Sequence, residues 1–321
     1  MKNRKIVLVG CGSVGTSFLY ASINQGLAQE YVLIDINHDL AEGNALDFAD
    51  CNAVLEKQFV SVEAGDYPDC KDADIIVITA GRPQRPGETR LDMVADNARI
   101  MKDIALQIKA SGFSGITIVA SNPVDVMTIV YQQVTGYDHH RVLGSGTILD
   151  SSRLRRLVGA KLNVHPSSVH TYILGEHGDS SIVPWSAGTI MGKRISDYIE
   201  DGKITRAELE WCREEAVNMA YKIIEKKKST FYGIGVALAY IARAIMRGEN
   251  AALLIGAYLD GEYGQKGIYI GVPAIVNQNG WSRIITLHIN SEEQKEFDRS
   301  CQTIKETVKK AFEAIDIKYE I

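Results

Sequence analysis

Residues 5–10, Lys-Ile-Val-Leu-Val-Gly, form a short apolar run that ends directly in Gly10-Cys-Gly12-Ser-Val-Gly15, and a helical pattern opens at once through Phe18, Leu19, Ala21 and Ser22. A glycine triplet at this spacing is common in proteins. Between a buried strand and a helix it is far more constraining, because the three glycines then serve three separate needs, namely the tight turn, the close backbone approach to a pyrophosphate, and tight packing of helix on strand. The start of that helix offers N–H groups without intrahelical acceptors to a negative charge. Asp35 ends the next apolar run, 20 residues after Gly15, where a carboxylate hydrogen-bonds the ribose hydroxyls of a dinucleotide. It also repels a 2′-phosphate, so the expected cofactor is NAD rather than NADP. The alternative, a carboxylate that only caps the following turn, fits the βαβ context less well.

Runs at 31–35, 59–64, 74–80 and 115–121 also read as strands, alternating with helical patterns. Those at 5–10, 31–35, 74–80 and 115–121 are almost continuously apolar, as strands covered on both faces should be. The fold class is therefore α/β: a doubly wound parallel sheet of the Rossmann type, followed beyond Asp150 by a mixed α+β substrate domain. The division expected is a cofactor domain over 1–145 and a substrate domain over 146–321. In the second part, a helix over 206–226 carries Leu209, Cys212, Ala216, Met219 and Ile223 as an apolar stripe. Another starts at Ser291, with Ser291 and Gln294 spaced for a capping box.

A chain of 321 residues, 45% hydrophobic and 23% charged, suits two globular domains. Its net charge of -5, with both signs interspersed, argues against nucleic acid as a partner. Cys11, Cys51, Cys70, Cys212 and Cys301 include no CxxC pair, so neither a disulfide framework nor a metal site is expected. The charged start and apolar run imitate a signal peptide, but the run is too short and leads into the glycine turn. No uncharged stretch approaches the roughly 20 residues of a membrane span. A cytoplasmic protein is expected.

Several segments carry chemistry. His177 lies in Gly175-Glu-His-Gly-Asp-Ser180, a glycine-flanked turn after an apolar stretch. Asp150 and Arg153, three apart in a helical pattern, share a face; taken alone, they read best as a solvated ion pair. The segment 80–90 follows the strand at 74–80, at the carboxyl edge where open α/β sheets bind ligands. Its two prolines and two glycines preclude regular structure, while Arg82, Gln84, Arg85 and Arg90 give it means to hold an anion, as a lid or simply as a basic surface loop. Ser121-Asn122-Pro123 ends the strand at 115–121 on the same edge, either as a ligand contact or as a plain turn.

Taken together, Gly10–Gly15, Gln84–Arg90, Ser121–Pro123, Leu149–Arg153 and Gly175–Ser180 closely resemble the bacterial L-lactate dehydrogenase family, within the lactate/malate dehydrogenase superfamily, in order and across almost the whole chain. The resemblance implies hydride transfer between NAD and a 2-hydroxy or 2-oxo acid. It makes His177 the acid/base, Asp150 its buried partner, Arg153 the two-pronged grip on the substrate carboxylate, and Arg90 a catalytic and substrate-binding residue that polarises the carbonyl. Asn122 would orient the substrate oxygen. Thr230 would line the substrate pocket, and Gly10, Gly12, Val14, Gly15, Asp35, Ser121, Asn122 and Ile234 would contact the cofactor.

The choice of acid turns on Gln84. Related malate enzymes have arginine six residues before the lid arginine; here that position is Gln84, with Arg85 one residue later. A dicarboxylate would bring in a charge without a dedicated partner, at about 3–5 kcal/mol. Pyruvate and L-lactate are thus the expected substrates, with malate or another 2-hydroxy acid as the alternative should Arg85 slip into place. The resemblance also implies a homotetramer, and fructose 1,6-bisphosphate bound between subunits by Arg155 and His170; the competing reading makes these two ordinary surface residues. Two rival classes are weaker. An NAD-dependent glycosidase needs a divalent metal held by Cys and His in an arrangement this sequence lacks, and a non-catalytic NAD-binding protein would not keep every catalytic position.

Overall fold

The computed structural model describes residues 3–82 and 90–319, with the backbone alone for 90–92. The first half builds β1 (Lys5–Val9), α1 (Ser13–Gln25), β2 (Glu30–Ile34), α2 (His38–Asp50), β3 (Ser61–Ala64), β4 (Ile75–Ile78), α3 (Arg90–Ser111), β5 (Ile116–Val119), α4 (Val124–Thr135) and β6 (Val142–Gly144). All these strands pair in parallel, in the spatial order β3-β2-β1-β4-β5-β6. Every residue of β1, β4 and β5 is buried, which is why they read as continuous apolar runs, while in the outer β3 only Val62 is buried. After β3 the chain crosses to the other side of β1, so the strand order reverses between β1 and β4. Loops leaving the carboxyl ends of those two strands diverge there and open a crevice.

The second half continues with α5 (Ile148–Leu162), β7 (Val169–His170), β8 (Thr189–Ile190), β9 (Lys193–Arg194), α6 (Ile195–Glu200), α7 (Arg206–Lys227), α8 (Tyr232–Arg247), β10 (Ala251–Asp260), β11 (Lys266–Asn277), β12 (Gly280–Ile284) and α9 (Ser291–Ala314). Strands β10, β11 and β12 extend the parallel sheet antiparallel at its β6 edge, joined through Gly256 and Gly144, and β7, β8 and β9 form a small separate sheet. The large sheet is thus continuous across both halves. One core packs the helices on this sheet; a second, smaller core gathers Leu154, Val158, Val169, Leu209 and Cys212 between α5, β7 and α7. Among the described residues no helix is long and apolar enough to cross a membrane.

Two local readings are corrected. The capping box of α9 is set one residue earlier than the sequence spacing suggests: Asn290 accepts from the Glu292 and Glu293 N–H groups, and Glu293 accepts from Asn290 N–H. Gln294 is occupied elsewhere, donating to Tyr263 O and Asp298. The sixth parallel strand, Val142–Gly144, escapes a pattern search because three residues are too few to show a period.

Candidate active site

Helix α5 begins beneath the crevice and carries Asp150 and Arg153 in its first turns. Both are buried, so this is no solvated surface pair: Arg153 Nη1 donates to Asp150 Oδ1 at 3.1 Å. The second oxygen, Asp150 Oδ2, meets His177 Nδ1 at 2.6 Å. Arg153, Asp150 and His177 therefore form one chain of charge-assisted contacts. The Asp150 carboxylate is the main reason the His177 imidazole is pushed up to about 9, against the opposing effect of burial. Burial pushes Asp150 the other way, towards neutrality, but His177 and Arg153 outweigh it and hold the carboxyl below its usual range.

The turn that bears His177 is pinned from several elements. Leu174 and Ile182 close its base by two backbone hydrogen bonds, and Gly175 pairs with Gly271 of β11. On the α9 side, Ser300 Oγ accepts from Glu176 N–H at 2.8 Å; within the turn, Ser180 Oγ donates to Glu176 Oε2 at 2.5 Å. From α4, Asp125 Oδ2 accepts from His177 N–H at 2.9 Å. Sequence reasoning missed Asp125. An aspartate in the first turn of a helix ordinarily faces solvent, whereas this one is 3% exposed, and burial pushes its carboxyl up to about 7.

A second omission is Asn97 on α3. Its side chain accepts from Arg82 N–H at 2.9 Å and donates to Arg82 O at 3.1 Å and to Asn122 O at 2.8 Å. It thereby ties the chain leaving β4 to the chain leaving β5. Ser121 adds a parallel tie, its hydroxyl donating to Ala80 O at 2.5 Å.

These groups surround a cavity of about 560 Å³, whose wall includes Val14, Ser121, Asn122, Asp150, Arg153, His177 and Thr230. The structure thus gathers expected residues that lie more than 200 positions apart in the chain. Ile234, one turn into α8, packs partly buried against the main core and is not part of that wall. Gln84, Arg85 and the Arg90 side chain lie outside the described residues. A cavity of about 630 Å³ beyond Asp179 and Ser181 contains none of the expected catalytic groups.

The cavity is continuous with the crevice, and the residues there fit a dinucleotide. Gly12 caps α1 with no side-chain hydrogen bond, and a Cβ built on it would meet nothing within 4 Å, so open space faces the helix start. Asp35 is oriented in advance: Oδ2 accepts from Cys11 N–H at 2.7 Å and Oδ1 from Asn37 N–H at 2.9 Å. The Cys11 thiol between them is buried and pushed up to about 12, first by burial and then by Asp35, which keeps it from acting as a nucleophile.

Arg155 and His170 lie outside the cavity. Arg155 donates to Pro166 O and Ser167 O, each at 3.1 Å. Tyr172 brings the two residues into one neighbourhood: its hydroxyl is 3.4 Å from His170 Nδ1, and it feels the charge of Arg155.

Residues 4–144 match the family described as lactate/malate dehydrogenase, NAD binding domain, and residues 147–315 its alpha/beta C-terminal domain. An L-lactate dehydrogenase of Mesoplasma florum is 60% identical to this chain over 313 residues, covering 98% of each. The minor L-lactate dehydrogenase from Enterococcus mundtii, in its ligands-bound form, superimposes with a TM-score of 0.94 at 46% identity and covers 99% of both chains. Its ligands-unbound form gives 0.90 at 45% identity, covering 97% of this chain and 98% of that one.

Proposed function

The chain belongs to the lactate/malate dehydrogenase family, and we propose that it catalyses the NAD-dependent interconversion of pyruvate and L-lactate. The observation that carries this reading is the Arg153–Asp150–His177 chain of contacts, set in a cavity that opens onto the dinucleotide crevice. The chemistry NAD supplies when bound is hydride transfer to or from C2 of the acid. The protein supplies the proton and the grip. With Nδ1 held by Asp150, the imidazolium presents Nε2–H to the substrate oxygen, gives up that proton in reduction and recovers it in oxidation. Arg153 makes no hydrogen bond other than that to Asp150 among the described residues, which leaves the rest of its guanidinium to hold the carboxylate. Asn122, fixed through its backbone by Asn97, orients the oxygen, and Thr230 shapes the pocket. Arg90 polarises the carbonyl, and Gln84, by lacking a charge, rejects a second carboxylate.

In this reading residues 1–145 hold the cofactor and 146–321 the substrate, and the protein works in the cytoplasm as a homotetramer built from dimers. Arg155 and His170 of adjoining subunits hold fructose 1,6-bisphosphate, which activates the enzyme; Tyr172, which meets His170 and feels the charge of Arg155, supports treating them as one site. NADH oxidation with pyruvate, oxaloacetate and 2-oxoisocaproate tests the substrate. Pyruvate should exceed oxaloacetate at least about a hundredfold in kcat/KM, and Gln84→Arg should narrow or reverse the ratio. Comparable efficiencies in the unmutated protein would overturn the assignment. Pyruvate saturation curves at low enzyme concentration that ignore the bisphosphate would remove the activator.

A further inference from the structure

Helix α7 ends at Lys227 and is capped by Lys228, and these two lysines differ in their surroundings. Lys227 Nζ sits over the rings of Phe231, at 3.3 Å, and Tyr232, at 4.0 Å. Lys228 follows as the residue that caps the helix, with φ 74° and ψ -29°, and its N–H donates to Ile224 O at 2.8 Å. That is a left-handed backbone position, where glycine carries no penalty and a side chain with a Cβ does. Lys228 also lines the catalytic cavity together with Ser229 and Thr230. A lysine thus occupies a strained backbone position on the wall of the cavity.

The charges of the cavity wall show what that side chain can contribute. Among the described residues, the wall holds three permanent cations, Arg82, Arg153 and Lys228, and two carboxylates, Asp150 and Asp179. Arg82 is bonded to Asp96 and Arg153 to Asp150. Lys228 has no hydrogen bond or ion pair through its side chain among the described residues. With His177 protonated as well, the charges of the described wall sum to two positive units with Lys228 and to one without it. A 2-oxo acid enters as a monoanion, so this exposed ammonium strengthens the attraction of the described wall for it.

We propose that Lys228 is a substrate-steering residue of this site, an exposed cation that draws the 2-oxo acid monoanion into the cavity, and that its charge is what keeps a lysine on a backbone position suited to glycine. The inference rests on the reading of the cavity as the site of 2-oxo acid reduction. Being exposed, Lys228 is screened by salt, whereas the buried Arg153 grip is not.

The test is pyruvate reduction at saturating NADH across ionic strength, for the unmutated protein and Lys228→Gly, Lys228→Asn and Lys228→Arg. At about 0.02 M ionic strength the glycine and asparagine variants should raise KM for pyruvate about three- to fivefold with a smaller change in kcat, and the gap should close by about 0.5 M. Lys228→Arg should keep the unmutated KM. Thermal unfolding of Lys228→Gly should move up by about 1–3 °C, which separates a lysine kept for its charge from one kept for stability. A KM that stays put in the neutral variants at low salt, one that stays raised at high salt, or one equally raised in the arginine variant overturns this inference alone. Failure of the unmutated protein to reduce any 2-oxo acid overturns the underlying reading as well.

Discussion

His177 Nδ1 and Asp150 Oδ2 lie 2.6 Å apart, and the carboxylate outweighs burial in setting the charge of the imidazole. Held up to about 9 from an ordinary 6.5, His177 stays protonated across the neutral range. In the proposed mechanism reduction of pyruvate takes that proton, so kcat/KM for reduction should be flat through neutrality and fall as pH rises through about 9, while oxidation of lactate should rise over the same interval. Asp150→Asn removes the main cause of the upward shift and leaves burial to act downward, so the midpoint should drop below about 7, and reduction at pH 7.5 should fall about a hundredfold or more. Stability follows the same linkage. The raised imidazole contributes fully below its ordinary 6.5 and loses that contribution as pH rises through about 9; Asp150, held below its ordinary 3.8, contributes above that value and loses it on acidification. Initial rates between pH 6 and 10 for the two proteins check this, and superimposable profiles would refute it.

Asp125 is a positioning residue for the same turn. It reaches the backbone N–H of His177, not the imidazole, and comes from α4 rather than from the element that carries Asp150. Asp125→Ala strands a buried N–H, at about 1–3 kcal/mol, and frees the backbone beneath the acid/base. The expected result is a lower unfolding temperature together with a fall in kcat of about tenfold or more that exceeds any change in KM. Loss of stability with kcat intact would make Asp125 structural only.

In the proposed reading cofactor choice rests on Asp35, whose two oxygens are already engaged by the Cys11 and Asn37 N–H groups. A carboxylate fixed in that way cannot swing aside for a 2′-phosphate. Asp35→Ser should therefore lower the ratio of kcat/KM with NADH over NADPH by about 10–100-fold, the value of hydrogen bonds to a charged group. Parallel assays with both nucleotides give the ratio directly, and an unchanged one would mean that specificity lies elsewhere.

The parallel sheet was legible because burial on both faces writes itself as unbroken apolar runs, as in Ile6–Val9 and Ile75–Ile78. His177 stood out through its glycine-flanked turn, whereas Asp150 was reached only through the family resemblance, since its spacing from Arg153 alone reads as a solvated pair. Asp125 and Asn97 were not legible, because what makes them matter is contact with backbone atoms 52 and 25 residues away, and no local pattern encodes such a distance. The environment of Arg153 was hidden for a related reason: spacing of three is the same in a buried pair and in a solvated one, and only the packing of α5 tells them apart.

The glycines of the first turn separate folding from binding, since each meets different neighbours. A Cβ on Gly15 would lie 2.1 Å from Gly10 O and 2.7 Å from Thr79 Oγ1, so α1 could not keep its seat on β1 and β4. Gly15→Ala should therefore lower the unfolding temperature by several degrees, an overpacking cost of about 1–3 kcal/mol. A Cβ on Gly12, the N-cap of α1, would meet nothing within 4 Å, yet in the proposed reading it would occupy space that the pyrophosphate takes at the helix start. Gly12→Ala should leave thermal unfolding of the cofactor-free protein unchanged within about 1 °C, while NADH affinity, read by fluorescence titration, falls at least about tenfold. A Gly12→Ala protein that binds NADH normally would mean that the pyrophosphate does not approach this turn, and the dinucleotide site would have to be placed elsewhere along the crevice.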